Sequence, residues 1–201
     1  MLPYEEGSKS PLVIYDPRLP KEHAGQVSDA ITANVDMAAT IFALSGVKAP
    51  EGIDGRNLQP LLTKPDGQVR DHLPLFNFWG TDSSQSMAIV TPGWKYIHWY
   101  YAEGMKATEE LFELSKDGIE MFNTAENTPQ AAQLKAMREL YDQELAKIAE
   151  RVMSDHGYEK YPTLFSRTIP WDQKAPLLKT KEKQADPDKP KKKRKGKEDE
   201  A

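Results

Sequence analysis

Four histidines, His23, His72, His98 and His156, are the first residues to weigh for chemistry. No two stand at the H-x-x-x-H spacing that puts a pair of imidazoles on one helical face for a metal. The absence of cysteine removes thiolate ligands, cysteine-derived nucleophiles and disulfides. Glu5 with Glu6 and Glu109 with Glu110 are adjacent carboxylates. Neighbours on a strand point to opposite faces, so salt bridges or solvent exposure are expected for them rather than a shared acid/base pair. Asp29 and Asp36 could each offer oxygen to a cation, but two separated acids constrain almost nothing. No G-x-x-x-x-G-K-[ST], G-x-G-x-x-G or G-x-S-x-G occurs, so the common phosphate loops and the nucleophile elbow are missing. No catalytic residue and no metal ligand is therefore assigned within this chain.

Aromatic residues offer a different chemistry, stacking on a sugar. The stretch WKYIHWYY places Trp94, His98 and Trp99 as candidates for the rim of a substrate pocket. Phe76, Phe78, Trp79, Tyr96 and Tyr101 extend the same aromatic sheet, whose alternation equally suits one core face and one partly exposed face. The net charge of −4 hides a basic tail. From Lys179 onward ten Lys or Arg stand against six Asp or Glu, leaving about −8 on the body and +4 on the tail. The run Lys191-Lys192-Lys193-Arg194-Lys195 has no interleaved aromatics and is closed by Glu198-Asp199-Glu200, so a solvated, disordered tail is expected and nucleic acid is an unlikely partner. No apolar run approaches the roughly 18 residues of a membrane span, and no membrane partner is expected.

These groups must be positioned by the elements around them. Residues 11–15, PLVIY, read as an apolar strand, and VSDAI as a second short one after the Pro- and Gly-punctuated DPRLPKEHAGQ. From Asn34 the period changes to that of a helix burying most of its surface, with Asn34 as N-cap and Gly46 as the stop. An apolar turn at Leu58, Leu61 and Leu62 precedes Lys64-Pro65-Asp66-Gly67. Beyond it LPLFNFW, SMAIVTP, WKYIHWYY and ELFEL predict four antiparallel strands at hairpin spacing. Leu134, Met137, Tyr141, Leu145, Ile148 and Val152 step by three or four, predicting one long helix from Thr128, its cap, with Pro129 in the first turn and its stripe packed on the sheet. The segment from Asp155 is rich in aromatics and prolines without a period and is expected to wrap the body as an extended strap.

Five tracts, in this order, resemble the C-terminal part of the sulfatase family within the alkaline-phosphatase-like superfamily. YEEGSKSPLVIYDPR is similar to the Tyr-Glu-Glu turn that follows the family's active-site histidine and lysine region, with Lys9 where arginine is usual and Ser10 where an apolar residue is usual. VDMAATIFALSGV resembles an Asp-x-x-Pro-Thr helix, with Ala39 at the proline position and Thr40 retained. GIDGRNLQPLL resembles an Asp-Gly-Arg-Ser-Leu loop. GWKYIHWY and EELFELSKDGIEMFNTAEN resemble a Trp/Arg-Lys-Tyr strand followed by Glu-Leu-Tyr-Asp-Leu, a Lys-Asp turn and Asn-x-Ala. The resemblance covers residues 3–127, and YPTLFSRTIPWDQK is similar to one subgroup.

The resemblance implies a fold: the end of a sulfatase-like α/β/α domain (residues 1–66), then a small α+β subdomain with about four antiparallel strands packed on a long helix (67–154); composition adds the extended strap (155–178) and the disordered charged tail (179–201). The resemblance also implies an activity for the complete enzyme, sulfuric ester hydrolysis, with sulfated carbohydrate as substrate and a formylglycine and calcium as its reactive centre. Neither group is expected in this chain. It holds no C/S-x-P-x-R, and the family's paired aspartates belong upstream of Tyr4. MLPYEEG thus reads as beginning partway through a family domain. The expected partner is the N-terminal sulfatase half, without which the chain is inactive. Family members usually work outside the cytoplasm, an address that no signal peptide in this chain carries. The alternative reading is a non-catalytic carbohydrate- or partner-binding module built on the aromatic sheet.

Overall fold

The computed structural model describes residues 2–78, 85–100, 107–152 and 157–178. Four strands, β1 (Leu73–Asn77), β2 (Ser86–Val90), β3 (Trp94–Trp99) and β4 (Thr108–Glu113), form one antiparallel sheet in the order β1-β2-β3-β4. The β2–β3 hairpin turns at Thr91-Pro92-Gly93, closed by the Thr91 N–H donating to the Trp94 carbonyl at 2.8 Å. Register carries Phe76 opposite Met87, Met87 opposite His98, and His98 opposite Glu109. Because strand side chains alternate, Met87, Ile89, Tyr96 and Leu111 share one face, while Ala88, Ile97, Trp99 and Phe112 share the other.

The first face is covered by the long helix α3 (Ala131–Arg151), which buries Leu134, Met137, Tyr141 and Leu145. Pro129 lies in the 3₁₀ turn Thr128–Gln130 that leads into it, and no side-chain cap is made there, so Thr128 does not act as the N-cap. The second face meets the N-terminal segment. Tyr4, just ahead of the short helix α1 (Glu5–Ser8), packs edge-on against Phe112 with centroids 6.2 Å apart. Both sheet faces are therefore buried, one by a helix far along the chain and one by its first residues.

Residues 157–178 depart from the extended strap expected for them. They form two short helices, α4 (Tyr161–Phe165) and α5 (Trp171–Leu178). What orders them is aromatic burial: Phe78 lies 4.2 Å from Tyr161 and 5.6 Å from Phe165 between centroids, and Trp171 stacks on Tyr100 at 6.3 Å. The Tyr141 hydroxyl fastens α4 by donating to the Phe165 carbonyl at 2.7 Å. The tail at 179–201, and its expected disorder, lie outside the described residues.

Upstream of the sheet, α2 (Asp36–Ser45) ends as expected at Gly46, which takes φ 70°. Asn34 does not cap it through its side chain. The helix buries Asp36, Ala39 and Thr40, whereas Met37 and Ile41 are exposed, so it does not bury most of its surface here. Nor do residues 11–15 and VSDAI form strands. An extended segment becomes a strand only when a neighbour accepts and donates its backbone hydrogen bonds. None does so among the described residues.

Gly55 is the tightest point of this region. A Cβ built there would lie 2.1 Å from the Val35 carbonyl oxygen. The close approach lets the 52–58 loop seat against the start of α2, so Gly55→Ala should force the loop off α2. The expected loss is about 2 kcal/mol or more, read as a lower urea midpoint at unchanged m.

Candidate functional site

Among the described residues three ionic clusters bridge segments far apart in sequence, two of them buried and the third half-buried. The first centres on Lys95. Strand alternation turns its side chain toward the N-terminal segment, where it is fully buried. Its Nζ lies 2.7 Å from a Glu5 carboxylate oxygen and 2.9 Å from Glu120, and donates to the Pro3 carbonyl at 3.0 Å. Glu120 also accepts the Glu5 backbone N–H. To reach inward Glu120 adopts φ 56°, and among the described residues no other non-glycine has positive φ. Such a backbone costs about 1–3 kcal/mol and persists only when its surroundings over-determine it. The ion pair and the Glu5 N–H supply that constraint.

The second cluster centres on Asp36. Its carboxylate accepts the Ala33 N–H and the Arg56 N–H at 2.7 Å each and forms a bidentate pair with Arg70. Burial alone would raise this carboxyl, but Arg70 and the two N–H groups hold it below the usual range. One turn later Thr40 Oγ1 accepts the Leu58 N–H at 2.9 Å, so the loop after Gly55 is sewn to α2 at two points.

The third lies between β3, β4, α3 and the segment after α4. Glu109 accepts from Arg138, Arg167 and Tyr96, and Arg167 reaches on to Asp142 at 2.7 Å. Burial pushes the Glu109 carboxyl up, and the Arg138 and Tyr96 hydrogen bonds overcome this and bring it to about 2. Glu110 points the other way, accepting the Tyr4 hydroxyl and the Trp99 indole N–H at 3.0 Å each. The adjacent carboxylates are thus parted by the sheet, as alternation requires, and each is consumed by structure.

Of the three aromatic rim candidates, His98 and Trp99 are buried and Trp94 is half-buried. Trp94 is half-buried against the α3-side core. Trp99 is buried on the opposite face beside Tyr4. His98 is 3% exposed, edge-on to Tyr141 at 5.8 Å, and neither ring nitrogen has a hydrogen-bond partner among the described residues. Burial first, then the charge of Lys174, lowers its pKa to about 4. Of the other histidines, His72 pairs with Glu144 at 2.9 Å, and His156 lies outside the described residues, as do Trp79 and Tyr101. Lys95, Glu120 and Arg70, which carry the first two clusters, were not singled out by spacing. The available signal for Lys95 was a lone cation in an aromatic strand.

The first two clusters coincide with the sequence tracts. Lys95 joins the Tyr-Glu-Glu turn, the Trp-Lys-Tyr strand and the loop after ELFEL, while Asp36 and Thr40 join the VDMAATIF helix to the DGRNL loop. A family model described as N-sulphoglucosamine sulphohydrolase, C-terminal, matches residues 1–150. The chain belongs to this sulfatase family. Among curated relatives, arylsulfatase K of Xenopus laevis is 32% identical over 149 residues, covering 69% of this chain and 27% of the relative. The N-acetylglucosamine-6-O-sulfatase of Bacteroides thetaiotaomicron is 30% identical, covering 70% and 25%. A protein solved in complex with its substrate D-glucosamine-2-N,6-O-disulfate superposes with TM-score 0.55 at 25% identity, over 66% of this chain and 28% of that one. The phosphonate monoester hydrolase of Agrobacterium radiobacter, at 21% identity and TM-score 0.50, shares the fold. The chain spans about a quarter of the length of the curated sulfatases it matches.

Sulfatases generally need a metal and a formylglycine, and the residues described here fit neither. There is no cysteine and no serine in an S-x-P-x-R context. Among the described residues no three His, Asp or Glu come together as a cation site, and Asp36 is already taken by Arg70.

Three outcomes follow for this sulfatase segment. Lys95→Met strands Glu120 and Glu5 as unpaired carboxylates and should cost about 3–5 kcal/mol in urea unfolding. Adding Glu120→Met should recover part of that loss, and strict additivity would contradict the ion pair. His98 should make stability fall as pH drops from 6.5 to 4. Its folded pKa is depressed, so the unfolded chain takes the proton first. The loss is on the order of 3 kcal/mol, and His98→Phe should flatten the pH profile in that window. Below about 4.5 the profile should fall again as Glu109 is protonated.

Proposed function

We propose that this chain is the C-terminal scaffold of a sulfuric ester hydrolase acting on sulfated carbohydrate, and that it has no turnover of its own. One observation carries the reading. Val13 and Tyr15, 89% and 83% exposed, help line a groove of about 250 Å³ together with Leu12, Ile14, Met37, Ile41 and Leu44. An extended apolar segment and the bare face of α2 meet there. Fully burying a side chain of this kind contributes roughly 1.5–3 kcal/mol, so a partner surface that covers several of them gains substantially. An exposed apolar patch of this sort marks an interaction site, and its extended backbone suits addition to a sheet edge.

The partner on this reading is the portion of the sulfatase fold that precedes the quarter matched here. Sulfate ester cleavage needs a nucleophile at sulfur, positive charge on the sulfonyl oxygens and a proton for the leaving alcohol. In the complete enzyme a formylglycine and a calcium ion supply the first two, held by that preceding portion. This chain's contribution is positional. Its three ion clusters hold the sheet, α2 and the segment at residues 3–5 in one frame against which the reactive portion is built. The substrate class follows the relatives, a sulfatase of N-acetylglucosamine and a protein crystallised with a sulfated glucosamine.

The purified chain, assayed with 4-nitrophenyl sulfate and calcium, should give no turnover above buffer. Calcium-dependent hydrolysis by the chain alone would contradict the reading.

A further inference from the structure

The groove beside residues 11–15 leaves a second apolar surface unexplained. Ile119, Met121 and Phe122, three large side chains within four residues, are 63%, 67% and 74% exposed. They are not displayed by a loose loop. The Asp117 carboxylate accepts the Met121 and Phe122 N–H groups at 3.0 and 2.8 Å, and the Asp117 carbonyl accepts the Glu120 N–H at 3.1 Å. Glu120, between them, is drawn inward to Lys95 and the Glu5 N–H. With Glu120 pinned inward at a left-handed backbone, its neighbours on both sides are held outward. A turn fastened from beneath that presents three bare apolar side chains has the form of an interface anchor.

Its occupant follows from its position. The buried Glu120 carboxylate accepts the Glu5 N–H, so the turn bearing the anchor is tied to the start of the segment that matches a C-terminal family model, and on the scaffold reading the preceding portion of the sulfatase fold leads into it. We propose that Ile119, Met121 and Phe122 dock on an apolar surface of that preceding portion of the sulfatase fold, as a second contact separate from the α2 groove. This rests on the scaffold reading above. The Lys95 cluster would then act as a hinge pin, holding the joining segment and the anchor at a fixed separation.

Two natural methionines separate the outcomes. Met121 reports the anchor, and Met37 reports the groove of the scaffold reading. The probe is a fusion in which the residues preceding the matched quarter of the Bacteroides N-acetylglucosamine-6-O-sulfatase are placed ahead of this chain. Hydroxyl-radical oxidation of each methionine is measured by mass spectrometry in the chain alone and in the fusion. Several-fold slower oxidation of both in the fusion is the expected result. Protection of Met37 with Met121 unchanged overturns the anchor and leaves the scaffold reading standing; protection of neither overturns both. Concentration-dependent protection of Met121 in the chain alone makes a second copy the occupant and also overturns the proposal. As a variant check, Phe122→Ser should leave the melting temperature of the chain alone unchanged and lower that of the fusion, and equal effects on both would contradict docking.

Discussion

A single buried ammonium organises this molecule. Lys95 has no solvent to share its charge with, so it must find carboxylates or cost several kcal/mol. It finds them in Glu5 and Glu120, and the Pro3 carbonyl accepts a further N–H. Because these groups come from three distant parts of the chain, satisfying one charge decides where the N-terminal segment lies on the sheet. It also decides why the loop after β4 must tolerate a left-handed glutamate, and which way that loop presents its apolar residues. An apolar core could have filled the same volume at similar or better stability. What the ion cluster adds is a requirement that these three tracts, and no others, meet.

The same logic recurs upstream and on the helix side. Asp36 draws the 56–58 loop and Arg70 to α2, and Glu109 draws α3 and the segment after α4 to the sheet through Arg138 and Arg167. Glu5, Asp36, Glu109 and Glu110, four of the carboxylates weighed for acid/base or metal chemistry, are spent on holding elements together. On the scaffold reading proposed above, carboxylates committed this way hold the frame on which a reactive centre is built. The exposed faces at residues 11–15 and 119–122 fit the scaffold reading: the large ionic groups of the interior are paired, and the surface left bare there is apolar and outward.

The sheet and α3 were legible because their periods are clean. Alternation in SMAIV and WKYIHW, the Thr-Pro-Gly turn and the three-to-four spacing from Leu134 to Ile148 all report local geometry, and Gly46 stopped α2 for a local reason. What failed was what depends on distant partners. Residues 11–15 have strand composition, but a strand is a relation between two segments. Lys95 and Pro3 are 92 positions apart and Glu5 and Glu120 are 115, beyond any spacing rule. The helices of residues 157–178 arise because Tyr161, Phe165 and Trp171 meet Phe78 and Tyr100, a contact no periodicity announces. Aromatic content suggested a rim at Trp94, His98 and Trp99; two of those side chains are core, because the strand's other face is covered by Tyr4 and its near face by α3.

Native-state amide hydrogen exchange on the chain tests the central claim most directly. If Lys95 makes the N-terminal segment and the sheet one cooperative unit, the Glu5 amide, which donates to Glu120, should exchange as slowly as the Tyr96 amide in β3 and respond to denaturant with the same slope. Fast Glu5 exchange that ignores denaturant, beside a protected Tyr96, would mean that the segment frays independently and that the buried ammonium does not organise the fold.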